Sequence, residues 1–128
     1  MTPTREYTAV LIQHRITAAK ELLVHPERMA REKDEAEAKL RQCGRIEALR
    51  RSLTLVHPAG EQASLRWSLE CGEHEARHLR DVALLETPAE RNHRTYLSGV
   101  LSGWVTAVAC HAVAAETLSA DQRNGEQL

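Results

Sequence analysis

The chain has 128 residues, of which 42% are hydrophobic and 27% charged, and its formal net charge is -1. That length fits one domain with a core of its own, and the composition excludes wholesale disorder. Near-neutral charge also excludes a broadly basic nucleic-acid binder and an acidic mimic of nucleic acid.

Cys43, Cys71 and Cys110 form an odd, sparse set, which predicts reduced thiols and no disulfide framework. The opening residues, Met-Thr-Pro-Thr-Arg-Glu-Tyr, lack the basic-then-apolar pattern of a secretory signal. Both features predict a cytoplasmic location. Arginine outnumbers lysine 14 to 3 and alanine is abundant, a usage that predicts a GC-rich bacterial or phage source.

Proline and glycine interrupt the chain at His25-Pro26, at His57-Pro58-Ala59-Gly60 and at Thr87-Pro88. The segments between them are rich in Ala, Leu, Glu and Arg, all strong helix formers. No alternating strand pattern or hairpin dipeptide intervenes. Four helices are predicted, at roughly 4–24, 26–55, 61–86 and 88–118, within about 2–4 residues. A polar tail follows over 119–128.

The first helix carries Ile12, Ile16, Ala19 and Leu23 as one apolar stripe. Pro26 suits the first turn of the second helix, where its missing N–H is not needed, and it separates the two helices. In the second helix, acids precede bases, which matches the helix dipole. Glu35/Lys39, Glu37/Arg41 and Glu47/Arg51 are spaced for ion pairs. Ala36, Leu40, Cys43, Ile46, Leu49, Leu53 and Val56 form its predicted core stripe.

The third helix has two stripes. Leu65, Leu69, Gly72, Ala76, Leu79 and Ala83 should face the bundle. Trp67, Cys71, His74, His78, Val82 and Leu85 recur on roughly the opposite side, which predicts a second set of neighbours. That set is another helix or another subunit.

The fourth helix opens on Thr87-Pro88-Ala89-Glu90, a capping box with proline at the first helical position. From Thr95 to Ala115 it has no Asp, Glu, Lys or Arg. The run is long enough to span a membrane. Ser, Thr, Gly and Ala dominate it, His111 lies inside it, and no basic cluster orients it, so it reads as a central buried helix. Leu97, Leu101, Trp104, Val108, His111, Ala115 and Leu118 form its core stripe, with His111 expected to find a polar partner inside the protein. Gly99, Gly103 and Ala107 lie on one ridge. Interior glycine costs about 1 kcal/mol relative to alanine, so the ridge implies close approach of another helix. Self-association is the preferred explanation, and packing against the first helix is the alternative.

His74-Glu75-Ala76-Arg77-His78 matches H-E-x-x-H and over these five residues resembles the zinc-protease motif. That resemblance implies two imidazole ligands and a glutamate that activates a metal-bound water. No downstream third ligand completes it, and Glu73 and Arg77 place charges where such helices are apolar. Cys71, His74 and His78, with Cys43 if the second and third helices pair, are candidate ligands for a structural zinc. Otherwise no cofactor is expected. No phosphate loop or nucleophile elbow is present, and basic residues do not interleave with aromatics as single-strand binding requires.

The sequence therefore predicts an all-α, antiparallel four-helix bundle, one domain over 1–118, self-associating through its third and fourth helices. The expected function is non-catalytic protein–protein binding, by an adaptor, an assembly factor or an inhibitor such as a phage inhibitor of a host system. The expected partner is another protein, not nucleic acid or a membrane. Trp67, Val82, Leu85, Gly99, Gly103, Trp104 and Ala107 are the predicted interface. The alternatives are a small-molecule sponge or sensor, with a pocket between subunits near Trp67 and His111, and an H-E-x-x-H hydrolase.

Overall fold

The computed structural model describes residues 2–25, 35–57 and 64–126, with side chains as far as Asp121. The chain is an all-α helical bundle of α1 (Pro3–Val24), α2 (Glu35–Val56), α3 (Leu65–Asp81) and α4 (Pro88–Glu126), with no strand among the described residues. The expected helical start at Pro26 lies outside them.

Local chemistry sets most helix ends. Thr2 caps α1, accepting from the Arg5 N–H at 3.3 Å, with Pro3 in the first turn. Ser64 caps α3, accepting from the Trp67 N–H at 3.5 Å. The capping box of α4 is reciprocal: the Glu90 N–H donates to Thr87 Oγ1 at 3.1 Å, and the Thr87 N–H donates to Glu90 Oε1 at 2.9 Å. The three expected ion pairs of α2 are present, at 3.3 Å (Lys39–Glu35), 3.4 Å (Arg41–Glu37) and 3.1 Å (Arg51–Glu47). At the far end of α2, buried Arg5 donates Nη1 to the carbonyls of Leu55 (3.2 Å) and Val56 (3.1 Å). A guanidinium there satisfies terminal carbonyls and opposes the helix dipole.

Two boundaries differ from the sequence reading. The third helix was expected to reach 86 but ends at Asp81, because Thr87 must be non-helical to cap α4 and the chain must reverse first. Arg91 Nη1 holds the reversal by donating to the carbonyls of Leu85 and Glu86 at 3.1 and 3.3 Å. The backbone of 119–126, expected as a polar tail, is helical and continuous with α4.

The helix α4 touches the other three, and its largest interface is with α2. Small residues make that interface. A Cβ on Gly99 would collide with the backbone of Arg41, and one on Gly44 with the carbonyl oxygen of Tyr96. A Cβ on Gly103 would sit 2.6 Å from the Arg45 carbonyl oxygen and 2.7 Å from the Ala48 side chain. The paired positions advance together along both helices, so α2 and α4 run in the same direction. The end of α3 lies beside the start of α4, with Leu79, Val82 and Ala83 across from Tyr96, Leu97 and Val100, so these two run antiparallel. The core gathers Ile12 and Ile16 from α1, Ala48, Leu49 and Val56 from α2, Leu65, Leu69 and Ala76 from α3, and Val100, Leu101, Trp104 and Ala107 from α4.

Close approach of backbones rotates α2 away from its expected stripe. Ala36 and Cys43 are exposed, while Ala38, Gly44, Ala48 and Ser52 are buried beside Ile46, Leu49 and Val56. By length and composition α4 is apolar enough to cross a membrane, and half of its most apolar stretch is buried within the bundle. It is not buried all round: Val105, Ala109, Ala112 and Val113 are exposed.

Candidate functional site

The predicted interface residues separate into two sets. Gly99, Gly103, Trp104 and Ala107 are buried within the chain. The Gly99/Gly103 part of the small-residue ridge lies against α2, neither against a second copy nor against α1 as the sequence reading had it. Trp104 lies against Gly72, where an added Cβ would stand 2.5 Å from the indole ring. The second set, Trp67, Val82 and Leu85, is open, at 63%, 57% and 47% exposure.

These three belong to the outer stripe of α3, and all of that stripe is exposed: Trp67, Cys71, His74, His78, then Val82 and Leu85 beyond the helix end. The inner stripe buries Leu65, Leu69 and Ala76, while Leu79 emerges near the helix end. Beyond it the turn adds exposed Leu84. The apolar side chains at this tip border a groove of about 420 Å³ between α2, α3 and α4, lined by Leu79, Val82, Ala83, Tyr96, Leu97 and Val100, with Glu47, Arg51 and His93 also lining it.

Charge at the tip is mixed, with Glu73, Glu75, Asp81, Glu86 and Glu90 among Arg77, Arg80, Arg91 and Arg94. Arg77 pairs with Glu73 at 3.2 Å and Arg80 with Asp81 at 2.8 Å. The hydrogen bond from Arg80, reinforced by the charges of Arg80, Arg77 and Arg94, holds the exposed Asp81 carboxyl below its ordinary pKa. Arg91 spends its hydrogen bonds on backbone carbonyls. Among the described residues, no carboxylate bridges to Arg91 or Arg94.

The H-E-x-x-H residues His74, Glu75 and His78 all lie on the exposed face of α3. Cys71 and Cys43 are exposed as well. Among the described residues, no three His, Cys, Asp or Glu side chains converge as a ligand set, so Cys71, His74 and His78 share a face without forming a cage.

His111 is half-buried, with Nδ1 3.5 Å from Thr8 Oγ1. The Thr8 hydroxyl donates its one proton to the Thr4 carbonyl at 2.7 Å, so its oxygen is left to accept from an Nδ1–H. Burial lowers the His111 pKa below its ordinary value; Arg66 and Arg5 push the same way, and Glu70 opposes them. The expectation of an internal polar partner is met by Thr8.

One cluster had no counterpart in the sequence reading. Between α1 and α4 lies a pocket of about 250 Å³ lined by Leu11, Arg15, Val105, Thr106, Ala109, Cys110 and Val113. Arg15 lines the pocket beside the buried Cys110 thiol, and the guanidinium groups of Arg15 and Arg45 both act on that thiol electrostatically. Burial pushes the Cys110 pKa up, and the two guanidinium groups oppose that shift. The signal available in the sequence was Arg15 one residue from the Ile12/Ile16 stripe. Comparisons with protein-family models, with curated proteins and with solved structures find no match to this chain.

Proposed function

We propose that the protein is a non-catalytic binding module, of the adaptor, assembly-factor or inhibitor kind, that docks another protein on the outer face of α3 and the turn after it. The observation that carries this reading is the exposure of Trp67 on the outer stripe of α3 and of Leu79, Val82, Leu84 and Leu85 at and beyond its end. Clustered exposed apolar side chains mark interaction surfaces, and tryptophan is prominent among energetic anchors. The groove beside Leu79 and Val82 has room for an anchoring apolar side chain.

Self-association remains a competing use of this same face, since the glycine contacts turn Gly99 and Gly103 inward. One experiment separates the two. The parent chain and a Val82→Asp/Leu85→Asp variant are compared for proteins captured from the native host and for sedimentation behaviour. Hetero-docking predicts a monomeric parent and one captured protein that the variant loses while remaining folded. Equal capture by both chains contradicts the assigned face, and a parent dimer dissolved by the variant assigns the face to self-association.

A further inference from the structure

The helix α3 runs unbroken from Leu65 to Asp81, so His74 and His78 stand one turn apart on the same side of it. Residues four apart are offset by about 40° around a helix axis and residues three apart by about 60°. An i,i+4 pair is therefore the better aligned of the two, with Cβ atoms about 5–6 Å apart. Both imidazoles are exposed. Among the described residues, neither side chain makes a hydrogen bond or an ion pair.

The charged side chains around them are committed elsewhere. The three arginines of α3 are each matched by a carboxylate: Arg66 by Glu70 at 2.9 Å, Arg77 by Glu73 at 3.2 Å and Arg80 by Asp81 at 2.8 Å. His74 shares a shallow surface hollow with Glu70, Glu73 and Arg77. Glu75 is exposed and makes no ion pair among the described residues, so it adds negative charge next to His74. No uncompensated positive charge on α3 repels a cation from the two open ring nitrogens.

We infer that His74 and His78 chelate one borderline transition-metal ion such as zinc(II), with its remaining coordination positions open to water or to a donor from outside the chain. Imidazole suits zinc, nickel and copper(II). Once one ring has bound, the helix holds the second at high effective concentration, which a lone surface histidine lacks. Cys71 is not part of this chelate. It lies seven residues from His78, about 10 Å along the axis, too far to share an ion whose bonds are about 2 Å long. No three donors converge among the described residues, which agrees with a two-donor site. The chelate lies between Trp67 and Val82 on the outer side of α3 but uses neither, so it stands whether or not that face docks a protein.

The test uses the untagged full chain, stripped of metal by a chelator and titrated with zinc chloride. Calorimetry and thermal unfolding are the readouts. One zinc per chain should bind with a Kd of about 10 μM or tighter. It should raise Tm with concentration, because unfolding the helix destroys the chelate. His74→Gln and His78→Gln should each weaken binding by at least about 10-fold. Cys71→Ser and His93→Gln should leave it unchanged. All four positions are exposed, so the metal-free variants should keep the parent Tm. Absence of zinc binding by the parent overturns the inference. Affinity unchanged in both His74→Gln and His78→Gln also overturns it and leaves an adventitious ion only. Loss on Cys71→Ser with His78→Gln unaffected overturns it as well, assigning the metal to Cys71 and His74.

Discussion

Two apolar surfaces that look alike in the sequence have opposite fates in the fold. The ridge Gly99, Gly103, Ala107 is buried, with Gly99 and Gly103 closed against α2 by backbone contact. Among the described residues, the outer stripe of α3 is exposed at Trp67, Cys71, His74 and His78 and stays so to its end. Side-chain size accounts for the difference. Glycine on one helix facing glycine and alanine on another lets two backbones meet, which removes both from the surface. A stripe mixing Trp, Cys and His leaves no flat track for a second backbone, and its polar rings tolerate water.

The comparison is broken most severely at the seam. Gly99→Val places a branched side chain against the Arg41 backbone, which cannot yield as a side-chain tip would. It should destabilise the protein by about 3 kcal/mol or more, read as a fall in the urea midpoint. Gly72→Ala collides only with the Trp104 ring and should cost about 1–3 kcal/mol, the lower end if the ring can turn. Thr87→Ala removes one half of the α4 capping box and should cost about 1 kcal/mol. On the open face, Val82→Asp with Leu85→Asp should shift stability by no more than about 0.5 kcal/mol per site while abolishing partner binding. A large loss of stability there would mean that the face is not open in solution.

A pH scan sharpens the same contrast. The folded His111 pKa lies below its unfolded value, so the folded state binds fewer protons in between. Its contribution is complete above the ordinary histidine pKa of about 6.5 and is lost as pH falls through the lower folded value. His111→Gln should therefore flatten the acid side of the stability curve relative to the parent.

Helix number and type were legible because apolar periodicity and proline punctuation agree along the chain. The α4 start was legible to the residue, since Thr87-Pro88-Ala89-Glu90 encodes its own capping geometry. The α2 face was misread, because a stripe anchored on the large side chains of Leu40, Ile46, Leu49 and Leu53 carries Ala36 and Cys43 with it and passes over the buried positions 44, 48 and 52. Gly44, Ala48 and Ser52 recur at four-residue spacing and mirror Gly99, Gly103 and Ala107; matching the two ridges would have paired the helices. The outer stripe of α3 was legible as a second face, but periodicity carries no information on whether such a face finds a neighbour within the chain. The pocket between α1 and α4 was not legible, because its lining comes from two helices that meet only through packing.

Amide hydrogen exchange on the full chain, followed at several protein concentrations, tests the intrachain seam most directly. Amides of 44–52 in α2 and 97–107 in α4 should exchange only through global unfolding, with protection that does not change on dilution. Rapid exchange of these segments would show that the glycine ridge is not closed against α2, and protection that disappears on dilution would show that a second molecule covers it.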